Sequence, residues 1–153
     1  MSKEMRITIE PVGFVENTID EQMDSGWADV ESTIVLNPEL TSILDGLESF
    51  SHALIIYWMH QAEPPDALKR RPKGRKDMPL VGLFAQRSKH RPIPIAVTAV
   101  QIVSVNSDSL TVRGLDAING TPVIDIKPYY PQYDSRPDAR VPAWVNRLMK
   151  HYF

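Results

Sequence analysis

Apolar residues along the chain fall mostly in short runs that alternate with polar ones, the pattern of half-buried β-strands. These runs predict strands over residues 5–15, 29–36, 51–61, 81–85, 95–105, 110–115 and 123–126. Two other segments place apolar residues at helical spacing, and they predict a short helix over 37–46 and a final helix over 142–153. On the final helix, Trp144, Leu148 and Tyr152 share one face.

This order of elements predicts a mainly β fold: a single small β-barrel with short helices and a C-terminal helix, forming one domain over residues 1–153. Strands and helices do not alternate regularly, which argues against a doubly wound parallel sheet. The turn residues at 106–109 predict a hairpin between two strands. The 13 prolines favour short elements and shaped loops over long helices.

The chain has no cysteine, which excludes disulfides, thiolate zinc sites and a cysteine nucleophile. The longest apolar run, 53–59, is too short to cross a membrane, and the first ten residues lack the apolar core of a signal peptide. We therefore expect a cytoplasmic protein with no membrane contact. His52 and His60 could face one side of a strand, but nothing suggests a third ligand, so no metal site is predicted.

The formal net charge is only −2, yet positive charge is concentrated in one loop. Residues 62–79 are rich in proline and hold six cations: Lys69, Arg70, Arg71, Lys73, Arg75 and Lys76. Clustered cations of this kind bind the phosphates of nucleic acids. The alternative interpretation is a solvated, mobile loop.

Two further segments, 84–92 and 115–129, concentrate hydrogen-bonding side chains. Arg87 and Arg91 carry planar, permanently charged guanidinium groups that suit carboxylates or phosphates. Asp116 and Asn119, beside the turn residue Gly120, could accept the hydroxyls or the amine of a nucleoside. The alternatives are a surface loop with ion pairs and a tight turn followed by an Asp125–Lys127 pair. A nucleoside site requires the two segments to come together in space.

The same segments carry a family resemblance. Residues 84–94 resemble the F-A-T/Q-R-S-x-x-R-P-x-P signature of the TsaA-like, or TrmO, methyltransferases, and residues 114–129 resemble their D-x-x-x-G-T-P-V-x-D-I-K-P-Y signature. Residues 46–52 and 60–61 match the family's G-L-x-x-F-S-H and H-Q stretches. The resemblance covers roughly residues 5–131, with the motifs in the family's order.

The resemblance implies a homodimer that binds S-adenosylmethionine on a small β-barrel near the subunit interface. It also implies methyl transfer to N6 of threonylcarbamoyl-adenosine beside the anticodon of a tRNA. Cofactor contacts are then expected at His60, Gln61, Gln86, Arg87, Val97, Leu115, Asp116, Asn119, Gly120 and Thr121, with the family's N-terminal cofactor loop near 21–26. RNA contacts are expected at the six loop cations and at Arg91 and Lys127.

Some positions depart from the family pattern, and alternatives stay open. Ile93 and Ala96 replace the family's commoner asparagine and glycine, Lys89 replaces a frequent proline, and longer members carry a C-terminal domain. The substrate could instead be a small molecule or another modified nucleotide, or the protein could be a non-catalytic adenosyl-binding module. Asp116, Asp125 and His90 are candidate proton acceptors, but the sequence assigns no catalytic residue.

Overall fold

A computed structural model describes residues 4–153. Its strands are β1 (Gly13–Glu16), β2 (Glu31–Leu36), β3 (His52–Trp58), β4 (Lys69–Arg70), β5 (Val81–Gly82), β6 (Ile95–Val105), β7 (Ser109–Arg113) and β8 (Pro122–Pro128). Six of them close an antiparallel barrel in the order β1-β2-β7-β6-β3-β8, and β4 and β5 form a separate two-stranded sheet. The predicted mainly β barrel is confirmed.

The barrel strands alternate between side chains that face the core and side chains that face outward. Along β3 every second residue, including Ala53, Ile55 and Tyr57, is buried, while the residues between them are partly or fully exposed. Val15, Ile34 and Val123 from other strands point into the same fully buried core. The predicted hairpin at 106–109 joins β6 to β7, and the Asn106 amide donates to the Ser109 carbonyl at 2.8 Å.

The helices are shorter than predicted. The segment 37–46 forms only one 3₁₀ turn, Pro38–Leu40, because Thr41 leaves helical geometry with a ψ of 135° and Ser42 then adopts a left-handed φ of 81°. A second 3₁₀ turn covers Leu47–Ser49, and two α-helices follow the barrel, α1 (Pro131–Asp134) and α2 (Ala143–Met149). No helix within residues 4–153 has both the length and the apolar character needed to cross a bilayer.

The prediction of a helix over 142–153 is wrong at its C-terminal end. Helix α2 ends at Met149, and His151 has a φ of 69°, so the chain turns away from the helix axis. Tyr152 therefore does not continue the face of Trp144 and Leu148, although its amide still donates to the Met149 carbonyl at 3.1 Å.

Two strand predictions also differ from the structure. The predicted strand 5–15 overlaps β1 (Gly13–Glu16) only at its last three residues. Residues 4–10 are exposed and pair with no strand of the described chain. Of the predicted strand 81–85 only Val81–Gly82 is extended, and a 3₁₀ turn, Leu83–Ala85, follows. The long loop 62–79 supplies the partner strand β4 for this short β5.

Barrel closure brings β1 very close to β2 at Gly13. A Cβ atom added at Gly13 would lie 2.3 Å from the Val35 carbonyl oxygen and 3.0 Å from the Leu36 Cα. Both are main-chain atoms of a paired strand, so neither can move without disturbing the ladder.

Gly13→Ala should therefore lower the free energy of unfolding by about 1–3 kcal/mol, the usual cost of overpacking, measured by urea denaturation. Gly82→Ala is the matched control, because the nearest atom to an added Cβ there is the Leu68 carbonyl oxygen at 4.0 Å. Equal stability of the two variants would contradict this account of barrel closure.

Candidate functional site

The side chain of Asp116 lies where the segment after β7 meets the barrel wall. Its Oδ1 accepts hydrogen bonds from the Tyr57 hydroxyl at 2.7 Å and from the Thr98 hydroxyl at 2.6 Å. Tyr57 on β3 and Thr98 on β6 are both buried. They lie on neighbouring paired strands, so the barrel itself fixes the inner oxygen of the carboxylate.

The outer oxygen of the same carboxylate has a different partner. Asp116 Oδ2 accepts a hydrogen bond from the Tyr152 hydroxyl at 2.7 Å. Burial raises the pKa of both Tyr57 and Tyr152 well above the ordinary value, and the nearby Asp116 charge raises each pKa further. Both phenols therefore stay neutral donors at physiological pH. We call Tyr57, Thr98, Asp116 and Tyr152 the Asp116 cluster.

The loop 84–92 contacts strand β6, and so does the segment between β7 and β8, residues 114–121, which we call the Asp116 segment. The Arg87 guanidinium donates to the main-chain carbonyl of Val97 at 2.8 Å, and the next residue, Thr98, donates to Asp116. The positive charge of Arg87 also acts against the rise in the pKa of Tyr152. The two polar segments that the sequence singled out therefore meet at β6.

Gln86, beside Arg87, is held in a defined orientation. Its side-chain amide nitrogen donates to the Arg70 carbonyl at 2.9 Å, and the residue is only 6% exposed. Within residues 4–153 its side-chain oxygen Oε1 is buried without a hydrogen-bond partner. A buried acceptor without a partner is costly, and it favours a ligand or water that donates a hydrogen bond.

The turn at 119–121 is anchored to the end of β1. Asn119 Oδ1 accepts a hydrogen bond from the main-chain amide of Asn17 at 3.1 Å, and the Gly120 amide donates to the Val15 carbonyl at 2.7 Å. Gly120 has a φ of 84°, a conformation that glycine adopts without strain. The Thr121 hydroxyl donates to the Ile118 carbonyl at 2.6 Å and closes the turn.

The remaining residues expected to contact a cofactor occupy varied positions. Leu115 is fully buried in the core, and the Val97 side chain is 41% exposed on the outside of the barrel. His60 and Gln61 lie in an exposed turn after β3, and the contacts found within residues 4–153 do not join them to the Asp116 cluster.

Three of the six loop cations are used to shape the loop. Arg71 donates to the Met78 carbonyl, and Arg75 pairs with Asp77 at 2.6 Å. Lys73 donates to the Asp24 carbonyl at 2.9 Å, and its Nζ lies 4.9 Å from the centre of the Tyr152 ring. Within the described part of the chain, Lys69, Arg70 and Lys76 form no ion pair.

The other two cations expected to contact RNA have protein partners. The Arg91 guanidinium donates to the Gln86 carbonyl at 2.9 Å and lies over the Phe84 ring. Lys127 pairs with Asp125 at 2.8 Å on the exposed face of β8, so these two side chains share a face as their spacing predicted. Arg91 thus fixes the shape of the 84–92 loop.

The two candidate proton acceptors besides Asp116 lie in separate surroundings. Burial lowers the pKa of His90, and the charges of Arg70 and Lys89 lower it further. Asp125 borders a mainly apolar cavity of about 310 Å³ near Leu44 and Phe50. A cleft of about 330 Å³, with Asp24 and Lys73 in its wall, lies instead beside Tyr152.

The sequence interpretation did not include three members of the cluster. Tyr57 and Thr98 are polar side chains at inward positions of strands that otherwise bury apolar ones, which is a signal that could have identified them. Tyr152 was placed on the apolar face of a helix that ends before it. Among residues 4–153, no group of three or more His, Asp or Glu side chains lies close enough to hold a metal ion.

Comparison with known proteins adds to this geometry. Residues 18–135 match the family described as the tRNA-methyltransferase O N-terminal domain. The chain belongs to the tRNA-methyltransferase O N-terminal domain family. The family resemblance of the sequence motifs is confirmed, and the match covers barrel strands β2, β3, β6, β7 and β8 together with Asp116, while β1 lies before it.

Members of this family differ in length. An S-adenosyl-L-methionine-binding protein from Archaeoglobus fulgidus is 36% identical over 130 residues, which are 82% of this chain and 91% of that protein. A human tRNA (adenine(37)-N6)-methyltransferase is 31% identical over 144 residues, 87% of this chain and 32% of the enzyme. The crystal structure of TrmO from Pseudomonas aeruginosa matches with a TM-score of 0.75 and 30% identity over 89% of this chain. The chain spans 61% of the length of that structure.

Tyr57→Phe keeps the ring and removes one donor to Asp116. A hydrogen bond to a charged group contributes about 1.5–3 kcal/mol, so the free energy of unfolding at pH 7 should fall by about that amount. Because the pKa of Tyr57 is raised in the folded state, its contribution is complete below about pH 10, where unfolded tyrosine is neutral, and declines at higher pH. The difference between the two proteins should therefore shrink above pH 10.

Urea denaturation across pH 7–11 measures this difference. The control is Tyr133→Phe, because Tyr133 is 74% exposed, and a surface change of this kind usually stays within about 0.5 kcal/mol. The proposed role of Tyr57 is rejected if the two variants lose the same stability at pH 7.

Proposed function

We propose that this protein is an S-adenosylmethionine-dependent methyltransferase that acts on tRNA. Its family membership and the names of its relatives support this activity. The observation that carries the proposal is the meeting of the Gln86–Arg87 loop and Asp116 at β6. A nucleoside ligand requires such polar groups side by side at one place.

The side chains at this place fit an adenosyl group. Asp116 Oδ2 is an outward-facing acceptor for ribose hydroxyls or for an amine. Gln86 Oε1, which is buried and has no hydrogen-bond partner among residues 4–153, would accept a hydrogen bond from an N–H or O–H group of the ligand. Arg87 already binds the Val97 carbonyl, so it holds the loop against β6 and adds positive charge beside the ligand.

When bound, S-adenosylmethionine supplies a methyl group that its sulfonium centre already activates, so the protein mainly provides orientation and electrostatics. Tyr57 and Thr98 fix the inner oxygen of Asp116 and thereby orient the outer one. Leu115, beside Asp116, is fully buried in the barrel core. No side chain is assigned as the proton acceptor.

For the substrate we propose N6-methylation of threonylcarbamoyl-adenosine next to the anticodon of a tRNA, in the cytoplasm. Support comes from relatives named for N6-methylation of adenine 37 in tRNA and from the cation cluster of the 69–76 loop. The absence of cysteine is compatible with a reducing compartment.

A homodimer is part of this proposal. Leu68, Leu80, Phe84 and Ile93 expose large apolar side chains around the Gln86–Arg87 loop. The Leu83 amide donates to the Leu68 carbonyl at 3.0 Å, which brings Leu68 beside Leu83, the residue before Phe84. A second copy that covers these residues would remove apolar surface from water and place the interface next to the site.

Sedimentation velocity of the wild type and of Phe84→Glu tests the homodimer, and a monomeric wild type would rule the homodimer out.

Isothermal titration with S-adenosylmethionine tests the cofactor. Arg87→Ala and Asp116→Ala should each weaken binding about tenfold or more, because each removes a charged hydrogen-bonding group. Lys127→Ala removes an exposed ion pair on β8 and serves as the control.

Mass spectrometry of tRNA containing threonylcarbamoyl-adenosine, after incubation with enzyme and cofactor, then tests the substrate. Cofactor binding without methylated tRNA would exclude this substrate.

The role of the cation cluster is tested with the double variant Lys69→Ala/Lys76→Ala. These two side chains are exposed and form no ion pair within residues 4–153, so the fold should be unaffected. Each lost phosphate contact should lower the slope of log affinity against log salt by about 0.7–0.9. Arg136→Ala/Arg140→Ala, two exposed cations outside the loop, is the matched control. An unchanged salt slope in filter binding would remove the loop from the RNA site.

A further inference from the structure

Residues 150–153, here called the Tyr152 segment, close the outer side of the Asp116 cluster. The Tyr152 hydroxyl donates to Asp116 Oδ2 at 2.7 Å, and the main-chain carbonyl of Tyr152 accepts a hydrogen bond from the Gly26 amide at 2.9 Å. The Lys73 ammonium lies over its ring. One residue thus contacts the Asp116 segment, the 20–26 loop and the cation cluster.

The two oxygens of Asp116 differ in how firmly they are held. Oδ1 is bound by two buried hydroxyls that belong to paired barrel strands, so this side cannot open without disrupting the sheet. Among residues 4–153, Oδ2 is bound only by the Tyr152 side chain, which comes from a short segment outside the barrel and outside any helix. Tyr152 is itself partly exposed, and His151 before it has a left-handed φ of 69°.

We infer that the Tyr152 segment competes with the adenosyl ligand for Asp116 Oδ2 and must swing away before the ligand binds. This inference rests on the proposed function. Oδ2 could accept a second hydrogen bond, but the Tyr152 ring closes the outer side of the cluster, from which a ribose hydroxyl or an amine of the ligand would approach. The ring and the ligand therefore compete for that side.

Such competition lowers the measured affinity by a calculable factor. When only a fraction of molecules is open, the apparent dissociation constant equals the intrinsic constant divided by that fraction. Within residues 4–153, three contacts of Tyr152 hold it to Asp116, the 20–26 loop and the cation cluster: one charge-assisted hydrogen bond, one main-chain hydrogen bond and one cation–ring contact. Removing the phenol hydroxyl removes the first of these, and removing the ring removes the third as well.

Titration of the full chain with S-adenosylmethionine, compared across Tyr152→Phe, Tyr152→Ala and the control Tyr133→Phe, tests the inference. We expect about tenfold tighter binding for Tyr152→Phe, a further gain for Tyr152→Ala, and no change for Tyr133→Phe. Equal or weaker binding by Tyr152→Phe would overturn the inference, because the hydroxyl would then be neutral or would itself contact the ligand.

Hydrogen exchange of the Gly26 amide gives a second reading that does not depend on affinity. This amide donates to the Tyr152 carbonyl, so saturation of the wild type with S-adenosylmethionine should speed its exchange as the segment leaves. Slower exchange at Gly26 on saturation would mean that the segment closes over the ligand, which also overturns the inference.

The two proposals fail in different ways. If no variant, including Tyr152→Ala, binds S-adenosylmethionine, the proposed function is wrong and the inference falls with it. If the wild type binds, Asp116→Ala does not, and Tyr152→Phe binds as the wild type does, only the inference is wrong. Binding by the Tyr152 variants alone would support both.

Discussion

A partly buried carboxylate needs hydrogen-bond donors, and the site is built around meeting that need for Asp116. Two donors come from inside the barrel, Tyr57 and Thr98, and their position is set by the pairing of β3 with β6. The third, Tyr152, comes from outside the barrel. Because the inner donors belong to the sheet and the outer one does not, the carboxylate has one permanent side and one side open to exchange.

Strand β6 provides the common reference for the polar segments. Its Val97 carbonyl binds Arg87, and its Thr98 hydroxyl binds Asp116, so two loops that are far apart in sequence are aligned by consecutive residues of one strand. The next turn is tied separately, through Asn119 and Gly120, to residues at the end of β1. Closure of the barrel fixes where β1 and β6 lie, and therefore which polar groups can act on one ligand.

Much of the fold could be predicted from the sequence because alternating apolar and polar residues indicate strands with one face in the barrel core and the other in solvent. Strand β6 was predicted with its observed bounds, and β2, β3, β7 and β8 to within a few residues. Residues 4–10 show the limit of this signal, since they alternate but pair with no strand. The motifs identified the family, yet the partners of Asp116 stayed hidden, because Tyr57 and Tyr152 become neighbours only through tertiary contacts.

Closure of the six-stranded barrel has a consequence for how the unit is combined with others. An open sheet exposes unpaired amides and carbonyls along its outer strands, and an adjoining domain must cover them. Here the barrel strands pair in a ring, so the unit is complete without such cover. It can therefore be joined to further sequence without cover for its edges, and the chain aligns with 91% of the Archaeoglobus fulgidus relative but with only 32% of the human one.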